Sequence, residues 1–127
     1  MQSDKKSILC VDNDVDNLEL LEFLFKGNGF IVKTCNSIEE CLSLVHANEF
    51  SAVILDNGAG GKSLEVCREI RLSYPKVPIV FCSGEGRKKE IEKALEAGGN
   101  EYYVKPLDFG KLFETVNQLI QETPPET

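Results

Sequence analysis

Four places in the sequence set groups suited to cation or phosphate chemistry directly after a short apolar run. Asp12, Asn13 and Asp14 follow Ile8 to Val11, and Asp56 and Asn57 follow Ala52 to Leu55. Ser83 and Gly84 close the run that starts at Val77, and Lys105 and Pro106 follow Tyr102 to Val104. Carboxylates brought together repel, and the usual remedies are a raised pKa or a bound hard cation. Mg²⁺ suits such an oxygen-rich set, because it takes one or two carboxylates and keeps several waters. A lysine and a hydroxyl on the other side would stabilise negative oxygens, those of a phosphoryl group among them. An aspartate can be the nucleophile that accepts that group. Singly, each fragment has a plain reading: Asp14 as a helix cap, Ser83-Gly84 as a turn, Lys105-Pro106 as a commonplace pair. Their succession at the ends of apolar runs is what points to phosphoryl transfer, where positioning and charge neutralisation do most of the catalysis.

Elements with a regular alternation must position these groups. The five apolar runs are Ile8 to Val11, Phe30 to Thr34, Ala52 to Leu55, Val77 to Cys82 and Tyr102 to Val104. They are nearly continuous in apolar character, which predicts strands covered on both faces. Between them the period becomes helical: Ile38, Cys41, Leu42 and Val45 recur at i, i+3, i+4, i+7, and Ile91, Ala94, Leu95 and Gly98 repeat the spacing. Leu112, Val116, Leu119 and Ile120 form a further stripe, and Ser63 to Leu72 completes the set. Val15 to Phe25, rich in Leu and Phe, is expected to be the most buried helix. Ser37 with Glu40 reads as a capping box, Gly27 and Gly29 as the end of the first helix, and Gly98-Gly99 as the end of the fourth. Strand–helix alternation of this kind predicts an open, doubly wound α/β sandwich with a parallel sheet. Ligands of such sheets bind beyond the carboxyl ends of the strands, where the four clusters fall.

Composition narrows the function. The chain has 127 residues, the size of one domain. Its net charge of −7 disfavours direct contact with nucleic acid or anionic lipid. Its five cysteines, Cys10, Cys35, Cys41, Cys67 and Cys82, show no metal or disulfide spacing and read as small buried hydrophobes of a reducing cytoplasm. No apolar run approaches the ~18 residues of a membrane span, and the polar start lacks the apolar stretch of a signal peptide. Residues 1–121 are expected to form the domain, and the polar, proline-rich residues 122–127 a tail or the start of a linker. His46, the only histidine, is expected on the surface.

Over Lys6 to Ile120 the sequence resembles the receiver domains of two-component response regulators. Ile8 to Leu21 is similar to that family's first strand, acidic cluster and first helix, and Ala52 to Asp56 to its phosphoacceptor strand. Leu64 to Arg68, Val77 to Gly84, Ala94 to Gly98 and Tyr102 to Pro106 continue the likeness in register. The resemblance implies a flavodoxin-like (βα)5 sandwich, five parallel strands in the order 2-1-3-4-5. It also implies a signalling switch, not a turnover enzyme, with at most self-catalysed phosphorylation and dephosphorylation of its aspartate. Asp56 would accept a phosphoryl group from a sensor histidine kinase, a phosphotransfer protein or a small phosphodonor. Asp12, Asn13, Asp56 and the Gly58 carbonyl would serve Mg²⁺; Ser83 and Lys105 would hold the phosphoryl oxygens; Tyr102 would be the aromatic switch. Charge added at Asp56 would favour a conformer with Ser83 and Tyr102 turned inward, read by a downstream protein or a fused output domain. The Lys105–Pro106 bond is expected to be cis.

Two departures stand out. Asn13 replaces the family's second acidic residue, so the metal site loses a charge; Asp14, a further acidic residue, could compensate through water. The loop after Asp56, Asn57 to Gly61, is one residue short, glycine-rich, and lacks the usual Met-Pro. These departures motivate the alternative of a receiver-like interaction module that does not need phosphorylation. Asp12-Asn13-Asp14-Val15 also satisfies the opening motif of haloacid dehalogenase phosphatases, but the later acidic pair after Lys105 and a cap domain are missing. An EF-hand reading of Asp12, Asp14 and Asp16 fails, because Asn17 and Phe23 stand where glycine and glutamate are required.

Overall fold

A computed structural model describes residues 5–57 and 62–124. Strands β1 (Ser7–Val11), β2 (Ile31–Cys35), β3 (Ala52–Leu55), β4 (Ile79–Ser83) and β5 (Glu101–Val104) alternate with five helices. The helices are α1 (Val15–Lys26), α2 (Ile38–Ala47), α3 (Lys62–Ser73), α4 (Lys88–Glu96) and α5 (Phe109–Glu122). All strands pair in parallel, in the order β2-β1-β3-β4-β5. The doubly wound (βα)5 sandwich expected from the alternation is the architecture observed.

The period of two along the central strands divides the interior into two cores. Ile8, Cys10, Ala52, Ile54, Val80 and Cys82 face α1 and α5, meeting Leu18, Leu21, Phe25, Leu112 and Val116. Leu9, Val11, Val53, Leu55, Ile79 and Phe81 face the other way, onto α2, α3 and α4. All five cysteines lie buried between these layers, and burial alone pushes the Cys67 thiol up to about 11 and contributes most to the rise of Cys82 to about 12. Cys67 and Cys82 fill space and are poor nucleophiles. His46 is exposed near the end of α2.

Two expectations need correction. The strands are not all covered on both faces: β1, β3 and β4 are, but β2 and β5 lie at the sheet edges with several residues exposed. Sequence hydrophobicity does not say which strand is at an edge; pairing order does. Nor is α1 the most buried helix. Phe23 is 81% exposed and Leu20 53% exposed, while α3 buries Ser63, Val66, Cys67 and Ile70. At about 100° per residue, Phe23 points away from the line of Leu21 and Phe25, so apolar content on the wrong side adds nothing to the core.

Local chemistry closes the helices where expected. The Ser37 hydroxyl accepts the Glu40 N–H at 3.2 Å, opening α2. Asp14 Oδ1 accepts the Asp16 and Asn17 N–H groups at 3.0 and 3.4 Å, capping α1. After α4, Gly98 adopts φ +120°, and a Cβ there would stand 2.8 Å from Arg71 Cγ. Gly98→Ala is therefore expected to cost about 1–3 kcal/mol from backbone strain and collision together. A urea midpoint matching that of wild type would contradict this.

Candidate functional site

The strand ends that carry the candidate residues are fastened to neighbouring strands before any side chain is considered. The sheet's hydrogen bonds run past the strands: Asp12 N–H donates to the Cys35 carbonyl at 3.2 Å, and Asp56 N–H to that of Val11 at 2.9 Å. Lys105 N–H donates to the Ser83 carbonyl at 2.7 Å, immediately before the cis Lys105–Pro106 bond. Asp12, Asp56, Ser83 and Lys105 thus start from backbone positions locked to adjacent strands at one edge of the sheet.

The side chains converge from there. Lys105 Nζ lies 2.8 Å from Asp12 Oδ2 and 3.7 Å from Asp56 Oδ1. Both aspartates are buried, and the lysine is three-quarters covered. Asp12 Oδ2 accepts a second hydrogen bond, from the Asn17 amide at 2.7 Å, and Oδ1 accepts the Asp14 N–H at 3.0 Å. Burial pushes the Asp12 carboxyl upward, yet the bonds from Lys105, the Asp14 backbone and Asn17 outweigh it and hold the group below its ordinary value. Burial likewise disfavours the Lys105 ammonium, but the Asp12 bond and the field of Asp56 keep it above the usual lysine range. At neutral pH Asp12 is therefore negative and Lys105 positive.

Other candidates fall around this trio. Ser83, fully buried at the end of β4, accepts the Glu85 N–H at 3.1 Å. The Tyr102 hydroxyl donates to the Glu85 carbonyl at 2.7 Å, and its ring stacks on Phe81 with centroids 6.0 Å apart. Ser83 and Tyr102 thus hold the same residue by its two backbone groups. Glu85 in turn accepts from the N–H and Nε of Arg87, the N-cap of α4, so the contact reaches the helix. Asn13 is exposed at the rim, and the Asp14 side chain is engaged in capping α1. Gly58 and the rest of the glycine run to Gly61 lie outside the described residues, as do residues 125–127 of the tail.

Three contributors escaped the sequence reading. Asn17 resembles any residue of a first helical turn, although a carboxamide three places after a capping Asp could reach back. Ser63, buried, donates to the Asp56 carbonyl at 2.5 Å and pins the start of α3 beneath the phosphoacceptor candidate. Neither Ser63 nor Glu85 carries a signal in the sequence, since Ser63 bonds the backbone carbonyl of Asp56 and Glu85 matters through its own backbone groups.

A cavity of about 230 Å³ opens beside the cluster, lined by Asp12, Asn13 and Asp56 and, further out, by Ser37, Lys62 and Ser63. Two carboxylates and an amide oxygen on one cavity fit a hard divalent cation, which prefers oxygen donors and retains water. Asp12, Asn13 and Asp56 are the residues that would hold it. No group of three or more His, Cys, Asp or Glu side chains assembles among the described residues.

Comparison with known proteins agrees with this geometry. The profile of the response regulator receiver domain matches residues 8–117. The transcriptional regulatory protein ZraR of Salmonella typhimurium is 32% identical over 120 residues, 94% of this chain and 27% of that protein. The response regulator MprA of a Mycobacterium species (strain KMS) is 31% identical over 94% of this chain and 52% of its own length. The chain therefore spans between about a quarter and a half of these curated relatives. A two-component response regulator from Clostridium difficile superposes with a TM-score of 0.88 at 25% identity, covering 93% of this chain and 98% of that one. A CheY-like receiver domain from Methanospirillum hungatei reaches the same TM-score at 21% identity, a likeness of fold, over 93% of this chain and 95% of its own. With the family profile matching residues 8–117, from β1 into α5, the chain belongs to the response regulator receiver domain family.

Proposed function

We propose that this domain is a phosphorylation-dependent signalling switch whose phosphoacceptor is Asp56. One observation carries the reading: a single ammonium, Lys105, stands between two buried carboxylates, 2.8 Å from Asp12 and 3.7 Å from Asp56. A lysine held in this way can follow negative charge as it moves onto Asp56.

The reaction is a substitution at phosphorus. An Asp56 carboxylate oxygen forms the new P–O bond, and the bond from phosphorus to the donor's nitrogen or oxygen breaks with its electron pair leaving on the donor. Lys105 keeps its proton throughout and pairs with the transferred oxygens. Ser83 accepts from Glu85 N–H and keeps its own hydroxyl proton to donate to those oxygens. Mg²⁺ held by Asp12, Asn13 and Asp56 would supply neutralisation of the phosphoryl charge. The domain would act once per phosphorylation event and not as a turnover enzyme.

The readout is the Glu85 segment. A Ser83 hydroxyl drawn toward a phosphoryl group pulls on the loop that Tyr102 also holds, and Arg87 carries the shift to the start of α4. The partners proposed are a sensor histidine kinase or phosphotransfer protein upstream and an output domain or separate protein downstream, in the cytoplasm. Among the described residues no helix is long and apolar enough to cross a membrane.

The test is direct. With saturating Mg²⁺ and acetyl phosphate, wild type is expected to gain one phosphoryl mass, with no gain when a chelator is present from the start, and Asp56→Asn none. Labelling of Asp56→Asn should stay at background, because the amide cannot serve as the nucleophile that accepts the group. Wild type that stays unlabelled under these conditions would sink the proposal.

A further inference from the structure

Asp12 is unusually well supplied with donors. Its Oδ2 receives Lys105 at 2.8 Å and Asn17 at 2.7 Å, and its Oδ1 receives the Asp14 backbone at 3.0 Å. The lysine has a use in phosphoryl chemistry. The amide of Asn17 is spent on Asp12 instead, from the first turn of α1.

Helix geometry explains how it gets there. Asp14 caps α1 and takes the Asn17 N–H at 3.4 Å, which fixes the third helical residue. Side chains of a helix tilt toward its N-terminus, so the Asn17 carboxamide is aimed back over the cap at Asp12. Asn17 is half-buried, so the bond is partly sheltered from water. A hydrogen bond to a charged acceptor is of the stronger kind.

We infer that Asn17 is a positioning residue that sets the cation affinity of the site by competing for Asp12. This rests on the reading of Asp12 and Asp56 as the cation-holding carboxylates. Each donor on Oδ2 withdraws negative charge that a divalent ion would otherwise use. Because residue 13 is an amide, Asp12 and Asp56 are the two carboxylates that line the cavity, and Lys105 lies against both. Under those conditions the second donor on Asp12 decides how much of its charge remains for the cation. The site takes up Mg²⁺ weakly until Asn17 lets go, and the first turn of α1 registers that event through the Asp14–Asn17–Asp12 links.

The test is a Mg²⁺ titration followed by amide NMR shifts of Asp12, Asn13 and Asp56, with no phosphodonor present. Asn17→Ala is expected to bind Mg²⁺ roughly three- to tenfold more tightly than wild type, the scale of one charge-assisted hydrogen bond partly replaced by water. Asn17→Asp, which puts a carboxylate in place of the donor, is expected to gain at least as much. In wild type the Asn17 side-chain NH₂ resonance should move along the same saturation curve as Asp12. An unchanged or weaker affinity in Asn17→Ala overturns the inference, as does a lowered melting temperature with the affinity of wild type, the mark of a purely structural role. The two readings fail differently. If Asp12 and Asp56 do not hold the cation, none of the three proteins shows saturable shifts at these positions. If only the Asn17 inference fails, wild type and Asn17→Ala saturate on superimposable curves.

Discussion

Lys105→Met is expected to abolish phosphoryl labelling and to lower the melting temperature at neutral pH by about 10 °C. The lysine is the cation between two buried carboxylates, and removing one partner of a buried pair leaves uncompensated charge costing about 3 kcal/mol. For a domain of this size each kcal/mol moves the midpoint by about 4 °C. The pH dependence identifies the cause. Asp12 is held below its ordinary value of 3.8, so its contribution is present above that pH and is lost as pH falls through the folded value. Lys105 is held above 10.5, so its contribution is present below that pH and is lost as pH rises through its folded value. The pair therefore stabilises the protein between about pH 4 and 10. In Lys105→Met the abandoned carboxylates should take up protons more readily, so the gap from wild type narrows as the solution is acidified. Melting curves from pH 3 to pH 8 check this; a gap of constant size would mean that lost packing, not charge, is responsible.

Arg71→Met is expected to destabilise by about 3 kcal/mol, and Arg71→Lys to recover less than half of that. Arg71 donates from Nε to the Gly98 carbonyl at 2.9 Å, from Nη1 to that of Val77 at 2.5 Å, and from Nη2 to Asn100 Oδ1 at 2.8 Å. The same Asn100 oxygen accepts the Ile79 N–H at 2.8 Å. One guanidinium thus joins the end of α3, the entry to β4 and the turn between α4 and β5. Its loss leaves partly buried carbonyls without their donor, each costing about 1–3 kcal/mol if water does not replace it. An ammonium cannot reproduce the planar fork that reaches all three segments. Urea unfolding measures both variants, and Arg71→Met within 1 kcal/mol of wild type would contradict the role.

Arg71 also shows why some of this protein was hidden in its sequence. The Arg71 and Gly98 contact spans 27 positions, and the Lys105–Asp12 contact spans 93. That Lys105 and Asp12 follow strand ends was legible, but the bond between them was not, and the first contact has no pattern to announce it. Ser63 and Glu85 were likewise invisible, since Ser63 bonds a backbone carbonyl and Glu85 offers its own backbone groups to Ser83 and Tyr102, atoms that any residue could have supplied. Asp14 was legible as a cap because capping depends only on neighbours along the chain.

The sequence by itself determined the alternation of strands and helices, the caps, and the residue types available at the strand ends. These depend on periodicity and on contacts a few residues apart, which a linear pattern records. Only the tertiary structure decided which strands lie at the edges, that Phe23 faces solvent, and that Asn17 shares Asp12 with Lys105. Those outcomes depend on which faces and loops the parallel pairing brings together, and the physics of that pairing is non-local: a side chain's role is set by neighbours the chain reaches only after folding.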